Sequence, residues 1–333
     1  MSNRIAVVGA GIAGLAAARR LVRAGRDVVV FDKARGVGGR TATRRREADA
    51  FDHGAQYFTC RSDDFAQQVD DWCRRGVAAS WRVPIRNLAG GKLLALKEQD
   101  TRYVGVPSMS ALARDLASEL SVECGQRIDH IDGSAGRWNL ISDSGANFEG
   151  FDAIVVATPA PQAVSLLLPA PKLARLAAGI EMLPCHAVMV TFAEPLNLYL
   201  GGAFVADPTL AWVARNASKP GRPDGESWVL HSTPEWSALH LEDPADIVAT
   251  ALIAAFTDAL GGLALPTLLA SAAHCWRFAR TGKPLGTPYL WDPTAQLGVC
   301  GDWTHGSRVE DAFTSGELLA RVMLGELDAT LSS

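Results

Sequence analysis

A chain of 333 residues with a net charge of −4 and an isoelectric point near 6.0 has length for about two domains and a substantial core. It offers no global basic field for nucleic acid, and Arg44-Arg45-Arg46 is its only basic run. Its six cysteines (Cys60, Cys73, Cys124, Cys185, Cys275, Cys300) show no C-x-x-C pair and no metal spacing, so they read as reduced thiols. No metal site is expected.

The first apolar run, Ile5 to Val8, reads as a short buried strand. It stands so early that no signal peptide is expected, which points to a cytoplasmic protein. Gly9, Gly11 and Gly14 follow in the spacing that makes a tight turn, lets a pyrophosphate approach the backbone, and lets the next helix pack closely. Ile12 to Ala24 is that helix, with its positive end toward the phosphates and Gly25 as C-cap. Val28 to Phe31 is a second strand. Asp32 stands at its end, eighteen residues after Gly14, where a carboxylate accepts hydrogen bonds from an adenosine ribose. Strand, glycines, helix and acid together make a dinucleotide-binding unit.

Arg35 to Phe58 is Gly- and Arg-rich and reads as irregular. Arg44-Arg45-Arg46 within it reads as a solvated loop, with help to a substrate phosphate as a second possibility. Ser108 or Ser110 caps a helix expected to run through Leu120, striped by Leu112, Leu116 and Leu120. Val122 to Cys124 is the third parallel strand. Ile128–Ile131 and Trp138–Ser142 are antiparallel strands, and Ala153–Ala157 is a fully apolar one. From Pro161 to about Pro293 prolines are frequent, and six of the nine tryptophans lie beyond residue 200. There, strands at Ala187–Phe192, Ala211–Ala214 and Trp228–Ser232 alternate with helices, notably Pro244–Leu260. Its apolar run, Ile247–Phe256, is too short to span a bilayer and reads as a packed helix. Leu297–Cys300 returns to a buried strand, followed by Gly301-Asp302 and a final helix, Val309–Leu324. The ends of the chain thus share one sheet. The expected fold class is α/β, with a discontinuous cofactor domain (1–65, 104–160, 294–333) and an inserted α+β substrate domain (66–103, 161–293).

Two features separate a flavin from a nicotinamide cofactor. Gly38-Gly39-Arg40 gives a second backbone approach to the pyrophosphate and a cation for its charge. Gly301-Asp302, followed by a helix, offers a carboxylate for a ribityl chain and a helix N-terminus for the flavin N1/C2=O edge. The cofactor is therefore read as FAD. Asp32 then concerns the flavin nucleotide and says nothing about NAD or NADP forms of a substrate.

Phe31–Arg40, Asp52–Phe58, Tyr103–Pro107, Trp228–Ser232, Trp276–Ala279 and Gly301-Asp302 resemble the amine-oxidase-like group of the glutathione-reductase-like FAD superfamily. Within that group they resemble the renalase family, in its bacterial branch. The resemblance implies a Rossmann-like FAD domain of the glutathione-reductase/p-hydroxybenzoate-hydroxylase type and noncovalent FAD, since no cysteine sits in a flavin-attachment context. It implies that Gly9, Gly11, Ile12, Ala13 and Gly14 surround the pyrophosphate, with Asp32 on the ribose, Lys33 also binding the cofactor, and Gly39 and Arg40 on the phosphate side. The backbone of Ile128 would meet the adenine. Ala55, Gln56 and Tyr57 would lie near the isoalloxazine, held from the far end by Asp302 and by Val309, Glu310, Asp311 and Ala312. The pocket facing the ring would use Tyr57, His186, Trp228, His231 and Arg277.

No Ser/His/Asp spacing, H-E-x-x-H or Walker motif is present. Lys172, Lys219 and Lys283 lie beside Pro or Gly and read as exposed, leaving no unmistakable counterpart of an amine oxidase's flavin-facing lysine. A dihydropyridine needs no base to give up hydride, whereas an amine must first lose a proton. The resemblance accordingly implies oxidation of isomeric dihydronicotinamides to NAD(P)+, with O2 reduced to hydrogen peroxide. Amine oxidation, a flavin-binding module without turnover and a carotenoid-desaturase-like activity are the alternatives. The expected partners are a small-molecule substrate and O2, with neither nucleic acid nor membrane.

Overall fold

The structure, a computed structural model, describes residues 4–46, 49–97 and 100–325. The strand Arg4–Val8 runs parallel to Asp27–Asp32 on one side and Ala153–Val156 on the other, with Val7 opposite both Val30 and Val155. Ser121–Cys124 extends this sheet beyond Asp27–Asp32, and Leu297–Val299 extends it beyond Ala153–Val156. Leu290–Asp292 closes the edge antiparallel, giving a six-stranded sheet. Near-continuous apolar strands suit a sheet covered on both faces. One cover is the helix Ile12–Arg23, crossed by the last helix, Val309–Met323. Their closest approach needs Gly316, where a Cβ would stand 2.1 Å from the Ala13 carbonyl oxygen.

A second, seven-stranded sheet runs in the order Leu268–Thr281, Met182–Phe192, Glu226–Ser232, Leu210–Arg215, Gly202–Val205, Ile85–Ala89 and Lys92–Ala95. The helix Ala245–Ala259 covers one face. Val248, Leu252 and Phe256, spaced four apart, form its buried stripe, and Phe256 packs on Trp228 at 5.3 Å between ring centroids. Each such side chain contributes roughly 1.5–3 kcal/mol of burial. A smaller antiparallel sheet joins Ile128–Ser134, Arg137–Ser142 and Asn147–Phe151.

Several elements differ from the sequence reading. The helix at Ser110 ends at Leu116, because Ser118 Oγ donates to the Asp115 carbonyl at 2.9 Å and draws the chain into a turn before Leu120. The segment 35–58 contains a short antiparallel ribbon, Arg44–Arg46 with Asp49–Phe51. The helix Asp63–Arg74, the hairpin Ile85–Ala89/Lys92–Ala95 and the long strand Leu268–Thr281 add to the elements that the sequence pattern indicates. Among the described residues no helix is long and apolar enough to cross a membrane, and no group of three or more His, Cys, Asp or Glu is placed to hold a metal.

Candidate functional site

Gly9 takes φ +115°, and a Cβ there would meet the Ala157 carbonyl oxygen at 2.7 Å. Gly14 is closer still, 2.0 Å from the Gly9 oxygen. Gly11 is different: a Cβ there meets nothing within 4 Å. It sits at the N-terminus of Ile12–Arg23, which no side chain caps, so open space lies where the dipole and free N–H groups favour an anion. Gly39, at φ +51°, belongs to a second turn packed so close that a Cβ there would stand 3.5 Å from the Gly11 Cα. This cradle fits the pyrophosphate of FAD.

Asp32 accepts the Ala10 N–H at 2.6 Å and the Ala34 N–H at 2.8 Å, one on each oxygen. Each oxygen keeps a further lone pair for a ribose hydroxyl. Lys33 beside it is held below the usual lysine range by partial burial and Arg127. Ile128 is buried with Phe31, which leaves its backbone at the head of its strand.

Arg40 and Asp302 meet as a bidentate pair at 2.8 and 2.5 Å. Each carboxylate oxygen of Asp302 thus accepts one Arg40 hydrogen bond and keeps a further lone pair, and the residue clasps the glycine loop to the short helix Asp302–His305 that precedes the last one. The side chains of Glu310 and Asp311 are committed elsewhere. Glu310 accepts from Arg61 N, Ser62 N and Ser62 Oγ, capping the helix Asp63–Arg74. Asp311 accepts from Ser307 N and Arg308 N. At these two positions the backbone is what is left to face a cofactor.

The segment 52–57 lies between the two sheets. Gly54 packs so tightly that a Cβ would stand 2.0 Å from the Arg40 carbonyl, which also accepts the Ala55 N–H at 2.8 Å. Asp52 is fully buried. It accepts from Thr43 Oγ1 and Met109 N at 2.9 Å and pairs with Lys219 at 3.4 Å and with Arg222. Although burial works against its charge, these cations hold its carboxyl below the usual range. Lys219 is thus not exposed, as its Pro-Gly context suggested, but buried. Burial depresses its ammonium to about 8, and it donates to Gln56 Oε1 at 3.0 Å.

Cross-strand registers build a continuous rung on the face of the seven-stranded sheet that looks toward this segment. It reads His274, Ala187, His231, Trp212, Phe204, Asn87, Leu94. His231 Nε2 reaches the His53 carbonyl at 3.1 Å, and Tyr57 packs on Trp212 with centroids 5.6 Å apart. His53 contacts His274 at 5.0 Å and Trp276 at 4.9 Å. Burial depresses His53 and His231 to about 4, so both rings are neutral.

Of the five pocket candidates, only Tyr57 and His231 meet on this face. His186 is one residue out of phase with Ala187 and points to the opposite face, where Nε2 bonds the His240 carbonyl at 3.0 Å beneath Trp236. Trp228, three residues from His231, lies on that face too, its indole N–H donating to Glu226 at 2.8 Å. Arg277 is half-exposed and paired with Glu242 at 2.7 and 2.8 Å. The period of two along a strand separates the groups. The sequence reading missed Trp212, His53, His274 and Lys219 as neighbours of Gln56 and Tyr57. For Trp212 and His274 the signal available was their parity with His231 along paired strands; His53 and Lys219 lie outside those strands and offered no such signal.

Residues 7–75 match the family model of an NAD(P)-binding Rossmann-like domain, and residues 61–324 match that of flavin-containing amine oxidoreductases. A 4,4'-diapophytoene desaturase of Staphylococcus aureus strain Newman is 45% identical over 51 residues, which are 15% of this chain and only 10% of the desaturase. Two solved structures share the fold over 98% of this chain. One is a protein from Exiguobacterium sp. 255-15 provisionally described as a protoporphyrinogen oxidase, with TM-score 0.76, 14% identity and all of its chain covered. The other is a redesigned triple mutant of putrescine oxidase, with TM-score 0.75, 13% identity and 99% of its chain covered.

Proposed function

The chain belongs to the family of flavin-containing amine oxidoreductases, and on that premise we propose that it is a renalase-like FAD-dependent oxidase of isomeric dihydronicotinamide dinucleotides. It would return 1,2-dihydro-NAD(P)-type substrates to NAD(P)+. The hydride carries two electrons, which O2 takes up with two protons to form hydrogen peroxide.

Bound FAD supplies a ring that accepts hydride and passes electrons to O2. The chain's own residues would hold FAD through the Gly9–Gly14 turn, Asp32, the Gly39–Arg40 turn and the backbone of Val309–Ala312. They would also present a flat slot for the donor ring. The observation that carries the reading is the character of that wall: Tyr57 against Trp212, with the neutral imidazole of His231 beside them. A dihydropyridine needs orientation and exclusion of water, not a base. The aromatic group is also flanked by a cation, the Arg102 guanidinium at 5.2 Å over Tyr57. It repels a protonated amine and favours a polyanionic dinucleotide.

Amine oxidation is the second reading, favoured by Lys219, a buried lysine depressed to about 8 beside Gln56. Anaerobic mixing of the FAD-loaded protein with 1,2-dihydro-NAD and with a panel of small primary and secondary amines separates the two. Bleaching of the flavin by the dihydropyridine is expected; bleaching by amines alone sinks the proposal.

A further inference from the structure

Gln56 is held in one orientation. Its Oε1 accepts from the Lys219 ammonium at 3.0 Å, and its Nε2 donates to the Asp52 and Gly54 carbonyls. Both amide hydrogens are thereby used, so none is left for His231 Nε2, which lies 3.5 Å away. The His53 carbonyl can only accept, so His231 Nε2 must carry the ring proton and donate to it at 3.1 Å. His231 is neutral, and Nδ1 is therefore a bare lone pair, with no protein donor among the described residues.

The cross-strand neighbour of His231 is Trp212, 7% exposed. Its indole N–H is buried without a hydrogen-bond partner. A buried donor left unmet costs about 1–3 kcal/mol, and native proteins rarely leave one without a reason. An unmet acceptor and an unmet donor therefore stand side by side on adjacent strands, against Tyr57.

We propose that His231 and Trp212 form a subsite for a primary carboxamide, His231 Nδ1 accepting the amide N–H and Trp212 Nε1 donating to the amide oxygen. The subsite rests on the reading of the substrate as a dihydronicotinamide and deepens it: the pair would select the 3-carboxamide and fix which face and edge of the ring enter the slot.

The test is equilibrium binding to the FAD-loaded protein, followed by perturbation of the flavin spectrum, with three oxidised probes. NAD+ offers both N–H and C=O, 3-acetylpyridine adenine dinucleotide only C=O, and nicotinic acid adenine dinucleotide a carboxylate. NAD+ is expected to bind about ten- to a hundred-fold more tightly than the carboxylate probe, which brings a second acceptor to His231. His231→Phe should abolish the preference of NAD+ over the acetyl probe, and His231→Gln, which restores an acceptor, should recover part of it. Trp212→Phe should weaken both carbonyl probes by the same factor. Equal binding of all three probes by the unaltered protein overturns the subsite, even if dihydro-NAD still bleaches the flavin. Failure of every dihydropyridine to bleach overturns the functional reading instead. The probe ratios then decide the amide subsite on their own.

Discussion

Arg40 closes on Asp302 with both arms of its guanidinium, Nη1 and Nη2 reaching separate carboxylate oxygens at 2.8 and 2.5 Å. The pair joins a loop near the start of the chain to the helix near its end. Asp302 is almost fully buried, so Arg40→Met strands a carboxylate, and the expected loss is roughly 3 kcal/mol of apoprotein stability. Arg40→Met combined with Asp302→Leu removes both charges and should recover most of that stability in a thermal melt. It should not recover FAD retention on gel filtration if Arg40 also serves, as proposed, as the cation for the pyrophosphate. Full retention by the double variant would reduce the pair to a structural clasp.

The glycines of the first turn separate into two kinds. Gly14→Ala places a Cβ 2.0 Å from the Gly9 oxygen and Gly316→Ala one 2.1 Å from the Ala13 oxygen. Both press on backbone, so each should cost about 1–3 kcal/mol or more in apoprotein unfolding. Gly11→Ala enters open space at φ −77°, and its melting temperature without FAD should match that of the unaltered chain. FAD affinity should nonetheless fall at least ten-fold, since the methyl occupies the phosphate's approach. Unchanged affinity for Gly11→Ala would place the pyrophosphate elsewhere.

What the sequence discloses and what it withholds follow one physical line. Gly9, Gly11, Gly14 and Asp32 are legible because their chemistry is local: a turn, a helix end and a strand end lie within one supersecondary unit. The helix Ala245–Ala259 is legible because Pro244 precedes it and its apolar residues recur at helical spacing. The pocket wall is not local. His231 faces Gln56, while Trp228, three positions away, faces Phe256, and nothing in the sequence alone says which face of the sheet turns toward Gln56 and Tyr57. Lys219 was misplaced for a related reason. A lysine beside Pro-Gly usually points to water, and only the distant Asp52 draws it inside.

Asp52 balances two buried cations, so Asp52→Asn should destabilise the apoprotein by about 3–5 kcal/mol. Lys219 adds a signature in pH. Its folded value, about 8, lies below its ordinary 10.5, so between those limits the unfolded chain binds a proton that the folded chain has lost. Stability therefore gains a rising component from pH 8 to 10.5. Denaturant midpoints across that range should show it in the unaltered protein. Lys219→Met should lack it, and parallel curves for the two proteins would contradict the burial of a titrating ammonium.

Burial holds His186 and His274 below the usual histidine range, but His53 and His231 carry the largest part of the acid side. Both fall from the ordinary 6.5 to about 4 on folding, chiefly through burial. Between these values the unfolded chain takes up protons that the folded chain refuses. The stability they contribute is complete above pH 6.5 and is lost as pH falls toward 4, at up to about 1.4 kcal/mol per pH unit for each ring. Asp52 is held lower than an ordinary carboxylate, so its own contribution fades only below this window. His231→Gln removes one titrating ring while keeping an acceptor, and it should reduce the slope of unfolding free energy near pH 5 by about 1.4 kcal/mol per pH unit. The same neutrality bears on turnover. If His231 meets the substrate as an uncharged acceptor, kcat/KM for the dihydropyridine should stay flat through pH 6.5 and fall only as the ring protonates near 4. A break at 6.5 that His231→Gln abolishes would mean that the ring titrates as though exposed, and the neutral wall would no longer explain the choice of substrate.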